Sequence, residues 1–65
     1  MNRYACVPHH GNSDTATDGS RFHVRAASDA DAIEDASKEA CRTGFPCVYV
    51  EDSDGRKVYD GHAAP

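Results

Sequence analysis

RFHVRAASDADAIEDASKEACRTG, residues 21–44, changes its hydrophobic period once, and that change decides the fold. Over residues 21–26 apolar and polar side chains alternate, so Phe22, Val24 and Ala26 point one way and Arg21, His23 and Arg25 the other. The spacing predicts a strand with one dry face and one basic, wet face. Ser28 follows, with a carboxylate three residues on at Asp31, a shorter-armed relative of the capping box that marks a helix start. At about 100° per residue, positions 29–43 group Ala30, Ala32, Ile33, Ala36, Ser37, Ala40 and Cys41 on one side of that helix. Asp31, Glu34, Asp35, Lys38, Glu39 and Arg42 fall on the other. An alanine stripe lets the helix lie close to a sheet. Gly44 is the expected residue just past its end, and Pro46 prevents it from resuming.

Downstream, Cys47-Val48-Tyr49-Val50-Glu51 is strongly β-forming, and Ser53-Asp54-Gly55 signals a turn into a shorter strand over residues 57–60. Val48, Val50 and Val58 are expected to join Phe22, Val24 and Ile33 in the core, with Tyr49, Tyr59, Cys47 and His23 toward the far side of the sheet. Upstream, residues 3–8 predict a strand ended by Pro8, whose inward pair is either Tyr4 and Cys6 or Ala5 and Val7. Residues 9–20 are polar or Gly apart from Ala16, and are expected to form a flexible connecting loop. The tail, residues 61–65, is expected to fray. The order ββαββ makes the chain a single small α+β domain over residues 1–65. It is a two-layer sandwich, an antiparallel sheet of three to four strands with one covering helix.

Composition limits what such a domain can do. At 65 residues, with 38% hydrophobic content and no Trp, the chain has little interior from which to build a pocket with supporting shells, so an enzyme is not expected. No nucleophile sits on a strand-turn-helix elbow and no glycine-rich phosphate loop is present. The formal net charge of -4 disfavours direct binding to nucleic acid or to an anionic membrane and points to a basic partner. No apolar run reaches the roughly 20 residues of a membrane span, and no hydrophobic segment of signal-peptide kind follows Met1-Asn2-Arg3-Tyr4. Together with an odd number of cysteines, three, these features predict a soluble cytoplasmic protein, expected to be a monomer.

Charge placement supplies the candidate site. Asp29, Asp31, Glu34, Asp35, Glu39, Glu51, Asp52 and Asp54 are opposed within their window only by Lys38 and Arg42, which leaves six net negative charges there and a positive remainder. Asp31, Asp35 and Glu39 recur at i, i+4, about 6 Å apart along the axis, at a cost of about a few tenths of a kcal/mol per pair. The plainer explanation is a solvated helix face, partly tied by Glu34 to Lys38. The sharper one is a row of carboxylates, spaced in the manner of phosphates along a strand, offered to a basic groove that normally holds nucleic acid. In that reading Asp31, Asp35 and Glu39 are the central contact, and Glu34, Glu51, Asp52 and Asp54 flank it.

Two other constellations compete. Cys6, His9, His10, Cys41, Cys47 and His62 include zinc-ligating types, but C-x2-H-H followed by C-x5-C lacks the paired knuckles of a zinc module, and no metal or other cofactor is expected. A disulfide between Cys41 and Cys47 requires their Cα atoms to lie within about 7 Å. Tyr4, Tyr49 and Tyr59, with Arg21, Arg25, Arg56 and Lys57, allow an aromatic sheet face of the kind that stacks single-stranded nucleic acid, although cross-strand packing also accounts for the tyrosines.

Met1-Asn2-x-Tyr4, the polar loop, Arg21-Phe22-x-Val24-x-Ala26 and the helix opening Asp31-Ala32 with Ala36 four residues on resemble the small phage-encoded type I anti-CRISPR proteins. The resemblance covers about half the chain and contains no binding motif that transfers residue by residue. It implies a non-catalytic inhibitor acting in the host bacterial cytoplasm on a type I CRISPR effector (Cascade or its nuclease), blocking DNA binding through an acidic, nucleic-acid-mimicking surface. The alternatives are a small zinc-binding or adaptor module, or a phage accessory domain of another kind.

Overall fold

The structure, a computed structural model, describes residues 1–11 and 19–63. Five elements follow in chain order: β1 (Asn2–His9), β2 (Phe22–Ala26), α1 (Asp29–Arg42), β3 (Cys47–Glu51) and β4 (Lys57–His62). The strands form one antiparallel sheet in the order β2-β1-β3-β4, and α1 covers one face of it. This is the two-layer α+β sandwich expected from the ββαββ order. No helix among the described residues is long and apolar enough to cross a membrane.

The register settles the facing of β1. Tyr4 stands opposite Val24 and Cys6 opposite both Phe22 and Val50, so Tyr4 and Cys6 point at the helix while Ala5 and Val7 point away. Their burial agrees. Pro8 does not end the strand. It lies past the last β1–β2 rung, Cys6 with Phe22, and its carbonyl accepts the Gly19 N–H at 2.9 Å. Its missing N–H therefore faces the side where β2 has stopped and removes nothing from the β1–β3 ladder.

Helix α1 opens as its sequence suggests: the Ser28 Oγ accepts the Asp31 N–H at 3.2 Å. Its end is a Schellman motif, with Gly44 N–H on the Cys41 carbonyl and Phe45 N–H on that of Ala40. Gly44 holds φ +89°, where a Cβ would be strained. Ala32, Ala36 and Ala40 face the sheet and are fully buried with Tyr4, Cys6, Ala26, Val48 and Val50. Phe22, Val24 and Val58 pack against this cluster as expected, whereas Ile33 is only half-buried and stands outside it. Alanines set the spacing between the layers, and a branched side chain is displaced to the flank of the stripe.

Two expectations about the C-terminal strand are corrected. Residues 57 and 58 form a bulge, after which Tyr59 pairs with Val50 on the helix side, so Tyr59 packs against the core and does not face away from it. The tail does not fray at residue 61 either. Gly61 and His62 continue β4, the Tyr59 Oη donates to the His62 carbonyl at 2.7 Å, and the Ala63 N–H donates to that of Pro46 at 2.9 Å. Of the loop expected over residues 9–20, His9 belongs to β1. Positions 12–18 of that loop, and positions 64–65 of the tail, lie outside the described residues.

Candidate partner-binding surface

Asp31, Asp35 and Glu39 lie on one side of α1 because four residues nearly complete one helical turn. That side borders strand β2: Asp31 and Asp35 line a depression with Ala26, and Asp35 and Glu39 line the next one with Phe22 and Val24. Asp31 and Asp35 are exposed, and neither makes an ion pair among the described residues. Glu39 is half-buried. It accepts a two-pronged contact from the Arg42 guanidinium, which holds its carboxyl below the ordinary carboxylate range. Glu34 sits one step round the helix and pairs with Lys38 at 3.2 Å. Both pairs are intrahelical and at the surface, so the cations can be exchanged for those of a partner at little cost.

The hairpin acids are placed elsewhere. Glu51 stands opposite Ala5 and Lys57 on the sheet face away from α1, where it accepts the Tyr49 hydroxyl at 3.3 Å. Asp52 organises the turn, its Oδ1 accepting the Asp54 N–H at 2.9 Å and the Arg56 N–H at 3.0 Å. Asp54 is exposed in that turn. Asp29 accepts the Tyr4 hydroxyl at 2.7 Å, and this bond, followed by burial and the nearby Asp29 and Asp52 charges, raises the Tyr4 phenol. The hairpin tip and the start of α1 are therefore at the same end of the molecule. The structure thus gathers Asp31, Asp35 and Glu39 into one row with Glu34 beside it, and puts Glu51, Asp52 and Asp54 outside that row.

The zinc-type residues separate. Cys6 is in the core, where burial pushes its thiol up to about 11, and Cys41 is exposed on the helix. Cys47 lies on the opposite, open face of the sheet, in one cross-strand row with His9 and His62. All three cysteines are free thiols. Within that row His9 Nδ1 accepts the Gly11 N–H at 2.9 Å, so its proton sits on Nε2, 2.9 Å from Asp60 Oδ1. Cys47 Sγ is 3.9 Å from His62 Nδ1. Among the described residues, no three or more His, Cys, Asp or Glu side chains are grouped so as to hold a metal ion.

The aromatic face also dissolves. Tyr4 and Tyr59 turn toward α1, and Tyr49 alone of the three faces away. What sequence reasoning missed on that face is a basic set on β1 and β2: Arg3 stands directly opposite Arg25, with His23 two rungs away. The alternation of residues 21–26 already signalled the β2 half of it; Arg3 required the register. No protein-family model matches the chain, and no curated protein or solved structure is significantly similar to it.

Proposed function

We propose that this protein is a non-catalytic inhibitor that binds a type I CRISPR effector, Cascade or its nuclease, and blocks its access to DNA in the host bacterial cytoplasm. The observation that supports this reading is the row of Asp31, Asp35 and Glu39 along one side of α1, the first two exposed and the third half-buried beside Arg42. Three carboxylates about 6 Å apart on a rigid helix offer a cationic groove what a polynucleotide backbone offers it, a line of regularly repeated anions. The identity of the partner rests on the resemblance of the β1, β2 and α1 sequences to type I anti-CRISPR proteins.

Binding of this kind gains from counterion release and from long-range attraction, so it weakens as salt rises. The test is target-duplex binding by a purified type I effector, with and without this protein, at low and at physiological salt. The reading expects DNA binding to fall in the presence of the protein, and the protein's own affinity for the effector, measured without DNA, to fall as salt is raised. Unaltered DNA binding across type I effectors would overturn it.

A further inference from the structure

Strand β2 borders the sheet, and among the described residues no backbone group pairs with its outer side. The other border strand, β4, carries a bulge at its start and a glycine within it, features that blunt an edge. Strand β2 is regular over its five residues and contains neither proline nor glycine. Beside it lie three depressions that share lining residues with their neighbours. One depression joins Ala26 to Asp31 and Asp35 with Arg25 at its rim, the next joins Val24 and Phe22 to Asp35 and Glu39 with Lys38 and Arg42 beside them, and a third runs from Phe22, Arg21 and Glu39 to Phe45. Helix α1 therefore runs antiparallel to β2, with half-buried Phe22 and Val24 as the floor and, as the far wall, Asp31, Asp35 and Glu39, the last joined to Arg42, with Lys38 beside them.

We propose that this edge accepts an extended peptide segment as a fifth strand. The segment carries Lys or Arg at three alternate positions over Asp31, Asp35 and Glu39, and acidic residues at the positions between, over Arg21, His23 and Arg25. The spacings agree: alternate side chains on a strand repeat about every 6.8 Å and the carboxylates about every 6 Å, so three pairs stay in step. A lysine or arginine stem covers Phe22 and Val24 while its charged end reaches the wall. On the other side of the added strand, His23 and Arg25 are exposed and face away from the helix, and Arg21, just before β2, is exposed. Opposite signs on the two sides of one strand edge select an alternating segment over a uniformly charged one.

The same charges disfavour a second copy of this chain. Antiparallel pairing of two β2 strands about His23 would put Arg25 of each opposite Arg21 of the other, a destabilising arrangement of like charges. The inference stands on the strand edge and the depressions beside it, independently of the effector proposed above, and its test uses this protein alone.

The experiment titrates isotope-labelled full-length protein with the seven-residue peptide Glu-Lys-Glu-Lys-Glu-Lys-Glu, capped at both ends. Two controls accompany it: a peptide of the same composition with the lysines in one block, and a fully N-methylated version that cannot donate to an edge. The expected result is that amide shifts and slowed exchange concentrate in Phe22–Ala26, with binding about tenfold tighter than for either control. Asp35→Lys and Arg25→Glu, both at exposed positions, each weaken it by a similar factor. Shifts outside β2 and α1, equal binding by the controls, no response at millimolar peptide, or a concentration-dependent β2 signal without peptide would each overturn the proposal.

Discussion

Cys6 and Tyr4 are adjacent inward positions of β1, and both hold their protons more tightly in the fold than in the unfolded chain. The Cys6 thiol is raised by burial from 9.0 to about 11, and the Tyr4 phenol is raised above 10.0 chiefly by its bond to Asp29. A raised value means that the folded state binds the proton over a range in which the unfolded state has released it. The Cys6 contribution is complete below pH 9 and is lost as pH climbs toward 11, and that of Tyr4 is complete below pH 10 and is lost above it. Urea-unfolding midpoints should therefore decline over that window, and Cys6→Ala should make the decline shallower; an unchanged slope would remove Cys6 from the account. Ser37 presents the opposite case. Its side chain is buried on the sheet-facing side of α1, and its Oγ has no hydrogen-bond partner among the described residues. Ser37→Ala removes an unpaired hydroxyl and should stabilise the fold by about 1 kcal/mol, a rise of about 4–8 °C in the thermal midpoint. The hydroxyl was visible in the sequence as a member of the apolar stripe, but its lack of a partner required coordinates.

Elements were legible wherever one period held over several residues. The alternation of Phe22, Val24 and Ala26 fixed the facing of β2, and the Ser28 cap, alanine stripe and Gly44 end fixed α1 almost to the residue. Strand β1 was legible in existence but not in facing, because Tyr4 with Cys6 and Ala5 with Val7 are comparable pairs locally; the decision comes from their partners Val24 and Val50. Strand β4 was misread at Tyr59 because a bulge shifts the period by one residue without any glycine or proline at the shift. Tyr59 then closes over Gly61, where a Cβ would meet its hydroxyl at 3.1 Å, and keeps the chain in the sheet beyond residue 60. The close approach of α1 to the sheet leads to a prediction of its own. Ala36 is fully buried midway along the helix, so Ala36→Leu must push the layers apart and should cost about 1–3 kcal/mol in chemical unfolding, despite the higher hydrophobicity of leucine. A neutral or stabilising result would show that the layers are looser than the alanine packing implies.

At the scale of the whole molecule, charge is unevenly placed around β2: Asp31, Asp35 and Glu39 lie on its helix side, with Lys38 and Arg42 among them, and Arg3 and Arg25 stand opposite one another on the open face. The helix row was legible because i, i+4 spacing is a property of one element. The separation of Glu51, Asp52 and Asp54 from it was not, because their positions depend on which face of the sheet and which turn they occupy. The proposed inhibition accordingly concentrates on three side chains. Its most direct test is the triple variant Asp31→Lys, Asp35→Lys, Glu39→Lys, assayed for competition with target DNA on a type I effector, with circular dichroism as a check of the fold. The account predicts a variant that keeps its helix and sheet signals and no longer displaces DNA. A folded triple variant that competes as well as the parent would contradict it.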